Sequence, residues 1–492
     1  MPPTPSQPSS QPSDSTVGPG PAAGTVHRGH LIHIAGAPTL AEARHHLVSV
    51  PDGALAVAAD GTITWSGPYP DLPEPLRAWP VLGDAGRYLL PGFVDTHLHF
   101  PQTYCTDSYG GGQLLEWLDR CVFPAEARLA DPRFAAQVAG DLTRRRISAG
   151  TTAALVFGSA FGPAQDALFD ATERSGLRIV SGRGIQTTGP ESADELITGE
   201  AEAIELVEAE VARWHAADTG DPATARLQVA LVPRFSLSVT VKTLAMLGEL
   251  YEDLRGRGVY VHTHLNENNR PGTGEIDLVR TAYQVEHYLD TYDGRFLAGS
   301  RRGGASLLGR RTILAHAVHC ADAELARMAE TGTSIAHCPT SQQFLGSGTM
   351  PWRRTTEAGV TVALGTDIGA GDEWLIPRVL NDCFKVHLSE PGAASAALHP
   401  ADLLFTATLA GARALDMEAR FGNLDAGKDA DFVVIEPDRW EPLAQVLAHN
   451  TSASACEGRD ATERMLFALL MGLREPAITS VWVQGRRAQL PR

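Results

Sequence analysis

Two histidines one residue apart close an apolar run: Tyr88 to Val94 leads into Asp95-Thr96-His97-Leu98-His99. Side chains at i and i+2 of a strand point the same way, so these two imidazoles can grip one metal ion. Metal-ligating residue types recur where later apolar runs end. His264 closes Val261-His262-Thr263-His264, and Asp367 closes Leu364-Gly365-Thr366-Asp367. Each also has a plainer reading, His264 as a core histidine and Asp367 as the cap of a following helix. Imidazoles with a carboxylate suit zinc, and Fe(II) equally. A cation held with one position open lowers the pKa of a bound water to about 7. Glu267, three residues after His264, returns its carboxylate over that point if the chain turns there, and can then move a proton. Its alternative is a first-turn helix glutamate favoured by the dipole. His316 ends Ile313-Leu314-Ala315-His316, where it can donate to a developing charge. His337, in Ala336-His337-Cys338-Pro339, ends yet another strand and is a candidate for substrate contact. His262 reads as a supporting residue and His319 as off-site.

These groups need elements that bring their ends together. The pattern predicts strands at 227–235, 259–264, 312–318, 333–338 and 360–367. Helices are predicted between them at 241–256, about 275–289, 322–331 and 351–358, with a further apolar-periodic segment from Trp374 to His387. In the first helix Leu244, Leu247, Leu250, Tyr251 and Leu254 share one stripe. Repeating βα units demand a parallel sheet covered by helices. Polar chemistry at the C-terminal ends of the strands is the arrangement of a (β/α)8 barrel. An open doubly wound sheet also binds there, but normally with a Gly-rich turn after its first strand. Gly110-Gly111-Gly112 has neither the spacing nor the position. Both chain ends read as β, through 31–34, a hairpin in 54–65 turning at Ala59-Asp60-Gly61, 432–435 and 480–483. The predicted class is therefore α/β: a TIM-like (β/α)8 barrel over 89–419, and a small β-sandwich built from 26–88 and 420–492. Residues 1–25, rich in Pro, Ser, Gly and Thr, read as a flexible tail.

The 492 residues carry 41 basic and 58 acidic side chains, a net charge of -17. Such a chain is a poor partner for a nucleic-acid backbone. The six cysteines form no C-x-x-C, so no zinc ribbon or redox pair is expected, and free thiols fit a reducing cytoplasm. No run of 18 uncharged apolar residues predicts a membrane span, and the N-terminus does not read as a secretion signal. A His-x-Glu with Pro-Cys-x-x-Cys, the zinc signature of cytidine-deaminase-type folds, is absent. The only lysines are Lys242, Lys385 and Lys428. Two-metal barrel hydrolases bridge their ions with a carboxylated lysine at a strand end; the 227–235 strand offers Arg234 instead, so one metal is expected.

Taken together, His97-x-His99, His264, His316 and Asp367 resemble the amidohydrolase superfamily. Further strings are similar to its guanine deaminase family: Leu114-Leu115-Glu116-Trp117-Leu118 with Phe123-Pro124-Ala125-Glu126, Val232-Pro233-Arg234-Phe235-Ser236-Leu237-Ser238, and His337-Cys338-Pro339 with Ser347-Gly348. The resemblance spans about Leu90 to Ile435. It implies a single zinc, with iron the alternative, held by His97, His99, His264 and Asp367. It implies that Glu267 moves the proton, that His316 faces the reacting carbon, and that Asp367 also accepts a proton from the attacking water. It maps a purine pocket onto Gln102, Arg234 and Phe235; Phe235 and Trp117 are flat apolar surfaces for a ring. The implied reaction is hydrolytic deamination of guanine to xanthine and ammonia, in a cytoplasmic homodimer without nucleic-acid or membrane partners.

Three segments depart from the family: His264-Leu265-Asn266-Glu267 where His-x-Ser-Glu is common, Ile368 to Trp374, and Thr340 to Phe344. They keep open another aminated ring, such as 8-oxoguanine, a pterin or a triazine. A non-catalytic scaffold on the same fold would typically have lost metal ligands, and this chain keeps all four.

Overall fold

Eight parallel strands succeed one another around a ring in chain order: Phe93–His99, Thr151–Phe157, Arg178–Gly182, Leu227–Pro233, Tyr260–Leu265, Thr312–His316, Ser334–His337 and Val362–Leu364. This computed structural model describes residues 24–106, 108, 112–299, 304–451 and 459–490. The tail expected over 1–25 lies outside them except for Gly24 and Thr25, and Thr25 already begins a strand. Cys456 lies outside them as well.

The strands read as continuous apolar runs because both of their faces are covered. Every residue of Thr151–Phe157 and of Leu227–Pro233 is buried. Helices pack outside, as in Val241–Leu254, whose Thr240 cap accepts from the Thr243 N–H at 3.1 Å. The ring closes between its first and last strands. His99 N–H donates to the Ile368 carbonyl at 2.7 Å, and Asp367 N–H to the His97 carbonyl at 2.8 Å. The seam therefore falls on the candidate metal ligands. The strands Thr151–Phe157 and Arg178–Gly182 complete the count; neither ends in the chemistry that drew attention to the others.

Both chain ends build one further sheet of eight strands. Its path runs Arg486–Arg487, Ile478–Val483, Phe432–Ile435, Tyr88–Pro91, Thr25–Ile34, Leu47–Val57 and Ile63–Pro68, with Val81–Leu82 beside Thr25–Ile34. Phe432–Ile435 runs antiparallel to Tyr88–Pro91, so the C-terminal segment pairs with the strand that leads into the barrel. A buried ion pair joins the two sheets. Arg178, on a barrel strand, donates to Asp431 at 2.5 Å and to Asp429 at 2.6 Å, next to Phe432–Ile435.

The C-terminal segment is not all β. Helices Glu441–Thr451 and Arg459–Gly472 lie between its strands. Their Leu443, Leu447, Leu466, Leu469 and Leu470 join the barrel's own apolar core. That helical spacing stands in the sequence between two β signals. Among the described residues, no helix is long and apolar enough to cross a membrane.

Candidate active site

His97 and His99 come from Phe93–His99, His264 from Tyr260–Leu265, and Asp367 from just beyond Val362–Leu364. Their donor atoms converge. His99 Nε2 lies 3.2 Å from His97 Nε2 and 3.3 Å from His264 Nε2. Asp367 Oδ1 lies 3.2 Å from His97 Nε2 and 3.3 Å from His99 Nε2. These edges fit a tetrahedral ion with ligand bonds of about 2.0–2.1 Å, whose donor–donor separations are about 3.3–3.4 Å.

The rest of each ring fixes which nitrogen faces the centre. His264 Nδ1 lies 2.6 Å from the Arg234 carbonyl, which accepts only, so its Nε2 turns a lone pair inward. His262 Nδ1 donates likewise to the Ile313 carbonyl at 2.9 Å, leaving His262 Nε2 to accept from His97 Nδ1 at 2.7 Å. His97 Nε2 is then bare too. Burial holds His264 and His262 well below the usual imidazole range and brings His99 down to about 4, so these rings are neutral. Lone pairs and a carboxylate brought to separations of 3.2–3.3 Å repel unless a cation lies among them, and the donor set fits a divalent metal.

Asp95 ties the seam from behind. It accepts from Thr366 Oγ1 at 2.6 Å, Thr366 N–H at 3.0 Å and His97 N–H at 3.2 Å. Gly365 must be a glycine here, because a Cβ would stand 2.7 Å from His97 Cβ. Three strand ends turn through the left-handed region: Asn266 at φ 49°, His316 at 75° and Asp367 at 53°. Such strain outside glycine is uncommon and gathers at functional sites. Asn tolerates it best. Asn266 is further pinned by its Nδ2 donating to Glu324 Oε1 at 2.9 Å.

That turn brings Glu267 back over the ligands. Glu267 Oε2 lies 3.4 Å from His316 Nε2, and its Oε1 accepts from Ser347 Oγ at 3.3 Å. The N–H groups of Glu267 and Asn268 donate to Glu275 Oε2 at 3.1 and 3.2 Å. Burial, then the charges of Asp367 and Glu275, push the Glu267 carboxyl well above its usual range. Burial lowers His316 to about 3.

Gln102, Trp117, Arg234 and Phe235, with Leu114, Leu118, Leu345 and Ala370, line the pocket above these groups. Trp117 Nε1–H donates to the Ser108 carbonyl at 3.3 Å. His337 is not in this wall. Its Nε2 meets His387 Nε2 at 2.9 Å, and His387 Nδ1 meets Glu390 Oε1 at 2.7 Å. His337, a candidate for substrate contact, is not among the residues lining the pocket; the helix Ile376–Ser389 supplies its partner. His319 lies off the pocket, its Nε2 2.8 Å from the Ser347 carbonyl.

Three polar residues of this site escape a reading of the sequence. Glu126 and Ser347 sit within strings shared with the family but carry no spacing signal of their own. Glu275 is brought in by the turn after Glu267 and has no local signature.

Known proteins agree with this architecture. The Amidohydrolase family model matches residues 88–487. A probable guanine deaminase of Deinococcus radiodurans is 38% identical over 470 residues, covering 94% of this chain and 97% of its own length. The guanine deaminase of Escherichia coli is 33% identical over 447 residues, covering 89% and 91%. The crystal structure of guanine deaminase from Bradyrhizobium japonicum superposes with a TM-score of 0.83 at 26% identity, over 94% of this chain and 99% of that one. With its seam-closing ligand cluster and a match across nearly all of the barrel, this chain belongs to the Amidohydrolase family.

Proposed function

We propose that this protein hydrolyses guanine to xanthine and ammonia. The observation that carries the reading is the convergence of His97, His99, His264 and Asp367 beneath Glu267 and His316, in a pocket lined by Gln102, Arg234 and two aromatic rings. The four residues would hold one divalent ion, zinc or iron. When bound, such an ion acidifies a water to a pKa of about 7.

The chain's own groups account for the proton traffic. Asp367 accepts a proton from the attacking water. Glu267, protonated in its buried setting, delivers one to ring N3 as C2 becomes tetrahedral. His316 faces that carbon and steadies the charge on it. Asp367 passes its proton on to the 2-amino group, which leaves as ammonia, while the new C2 hydroxyl gives its proton to Glu267 and becomes the carbonyl of xanthine. Arg234 and Gln102 address the ring's polar edge, while Phe235 and Trp117 cover its faces.

On this reading 89–419 carries the chemistry and the segments 26–88 and 420–492 scaffold it. The enzyme works as a cytoplasmic homodimer in purine breakdown. The test is purified, zinc-loaded protein with guanine: xanthine and ammonia should appear in equal amounts, be lost on chelation and return with metal. No ammonia from guanine would remove the substrate. A parallel panel of 8-oxoguanine, a pterin and an s-triazine would then identify the ring.

A further inference from the structure

Two of the pocket's polar side chains are held by a third residue. Glu126, on the short helix Phe123–Ala127, is buried. Its Oε1 accepts from Gln102 Nε2 at 2.9 Å, and its Oε2 accepts from Arg234 Nη1 at 2.6 Å. Gln102 lies just after the first barrel strand and Arg234 just after the fourth, so one carboxylate clamps groups from separate strand ends.

The clamp decides which way the Gln102 amide faces. A carboxylate offers only acceptors, so the amide atom turned to Glu126 must be the NH2. Gln102 Oε1 is left, buried and without a protein partner. Arg234 keeps N–H donors beyond Nη1 and has no acceptor. The wall therefore pairs one fixed acceptor with fixed donors.

We propose that Glu126 is a positioning residue that sets ring specificity. It tunes the pocket to an edge bearing a carbonyl next to a ring N–H, and against an edge bearing an amine next to a bare ring nitrogen. This rests on the proposed guanine reaction. With C2 held against Glu267 and His316, the ring cannot reverse to repair a mismatch. On the wrong edge an amine meets the Arg234 donors, and a ring nitrogen meets Gln102 Oε1. Buried pairs of this kind reject a substrate strongly, because both partners lose water and gain nothing. Without the Glu126 charge the Gln102 amide is free to turn over and accept either edge.

The test compares guanine with 2,6-diaminopurine, which share the 2-amino group and differ at this edge. The wild type should prefer guanine in kcat/KM by about a hundredfold or more. Glu126→Gln should shrink that preference by about tenfold or more, through KM for guanine more than through kcat, with metal content unchanged. An unchanged preference in a folded, metal-loaded E126Q protein would overturn the inference while guanine deamination itself stands. If the wild type turns over neither purine, the proposed reaction fails, and the same comparison made with Kd from calorimetry still decides the role of Glu126. A second measurement needs no variant. 1-Methylguanine removes the N–H that Gln102 Oε1 would accept and should be a poor substrate; equal kcat/KM for it and guanine would also overturn the inference.

Discussion

His262 Nε2 lies 2.7 Å from His97 Nδ1, and the Ile313 carbonyl behind it fixes the direction of that hydrogen bond. His262 thereby decides that His97 presents its lone pair to the ligand cluster. Partners of this kind are worth about 10–100-fold in metal affinity. His262→Leu should therefore weaken zinc binding by about that factor, measured by competition with a chromophoric chelator, and activity should recover at high zinc. Unchanged affinity would mean that the ring of His97 is oriented by other contacts.

Glu267 touches His316 and Ser347 but none of the four candidate ligands. Glu267→Gln keeps the shape and a hydrogen-bonding side chain but carries no exchangeable acid proton. It should lower kcat by on the order of 10²–10⁴ while leaving metal content intact. A loss of bound metal in this variant would instead place Glu267 among the ligands.

Most of the chemistry is legible in the sequence because it sits at strand ends. His97, His264, His316 and Asp367 each close an apolar run, so the period-2 pattern locates them without any knowledge of the turns. The illegible part depends on where a side chain finds its partner. His337 obeys the same strand-end pattern, yet it pairs with His387 from a later helix and is not among the residues lining the pocket. Glu275 enters only because Asn266 takes a left-handed turn. The helices Glu441–Thr451 and Arg459–Gly472 are masked by the β segments on either side, although their leucines keep helical spacing.

Arg178 is buried between Asp429 and Asp431, and Asp429 also has Arg420 at 2.6 Å. Arg178→Met would leave Asp431 without its cation, although the Gln484 N–H still donates to it at 2.8 Å. Removing one partner of a buried pair costs about 3–5 kcal/mol. Chemical denaturation should record a loss of that order, since the residue stands between barrel and small sheet. A loss below about 1 kcal/mol would mean that water reaches Asp431.

The small sheet should be acid-sensitive. His27 is packed edge-on against Phe432 and Trp482, with ring centroids 4.9 and 4.5 Å away, and burial, then Arg87, lowers it to about 3. His30 and His33 on the same strand are lowered by burial to about 4. Above the ordinary imidazole value of about 6.5 both folded and unfolded chains are neutral there, and nothing is lost. As pH falls below it, only the unfolded chain takes up the proton, so stability drops until the folded value is passed. Each such group contributes a slope approaching about 1.4 kcal/mol per pH unit. His27→Phe should reduce the slope of unfolding free energy between about pH 6 and pH 4 by that amount. An unchanged slope would mean that His27 gains no proton on unfolding.

The bonds from Asp367 to His97 and from His99 to Ile368 join the first barrel strand to the segment just past the last one. During synthesis, therefore, the donor set stays incomplete until the ribosome has released the chain beyond Asp367. A nascent chain stalled earlier has its three imidazoles but neither the carboxylate nor a closed wall.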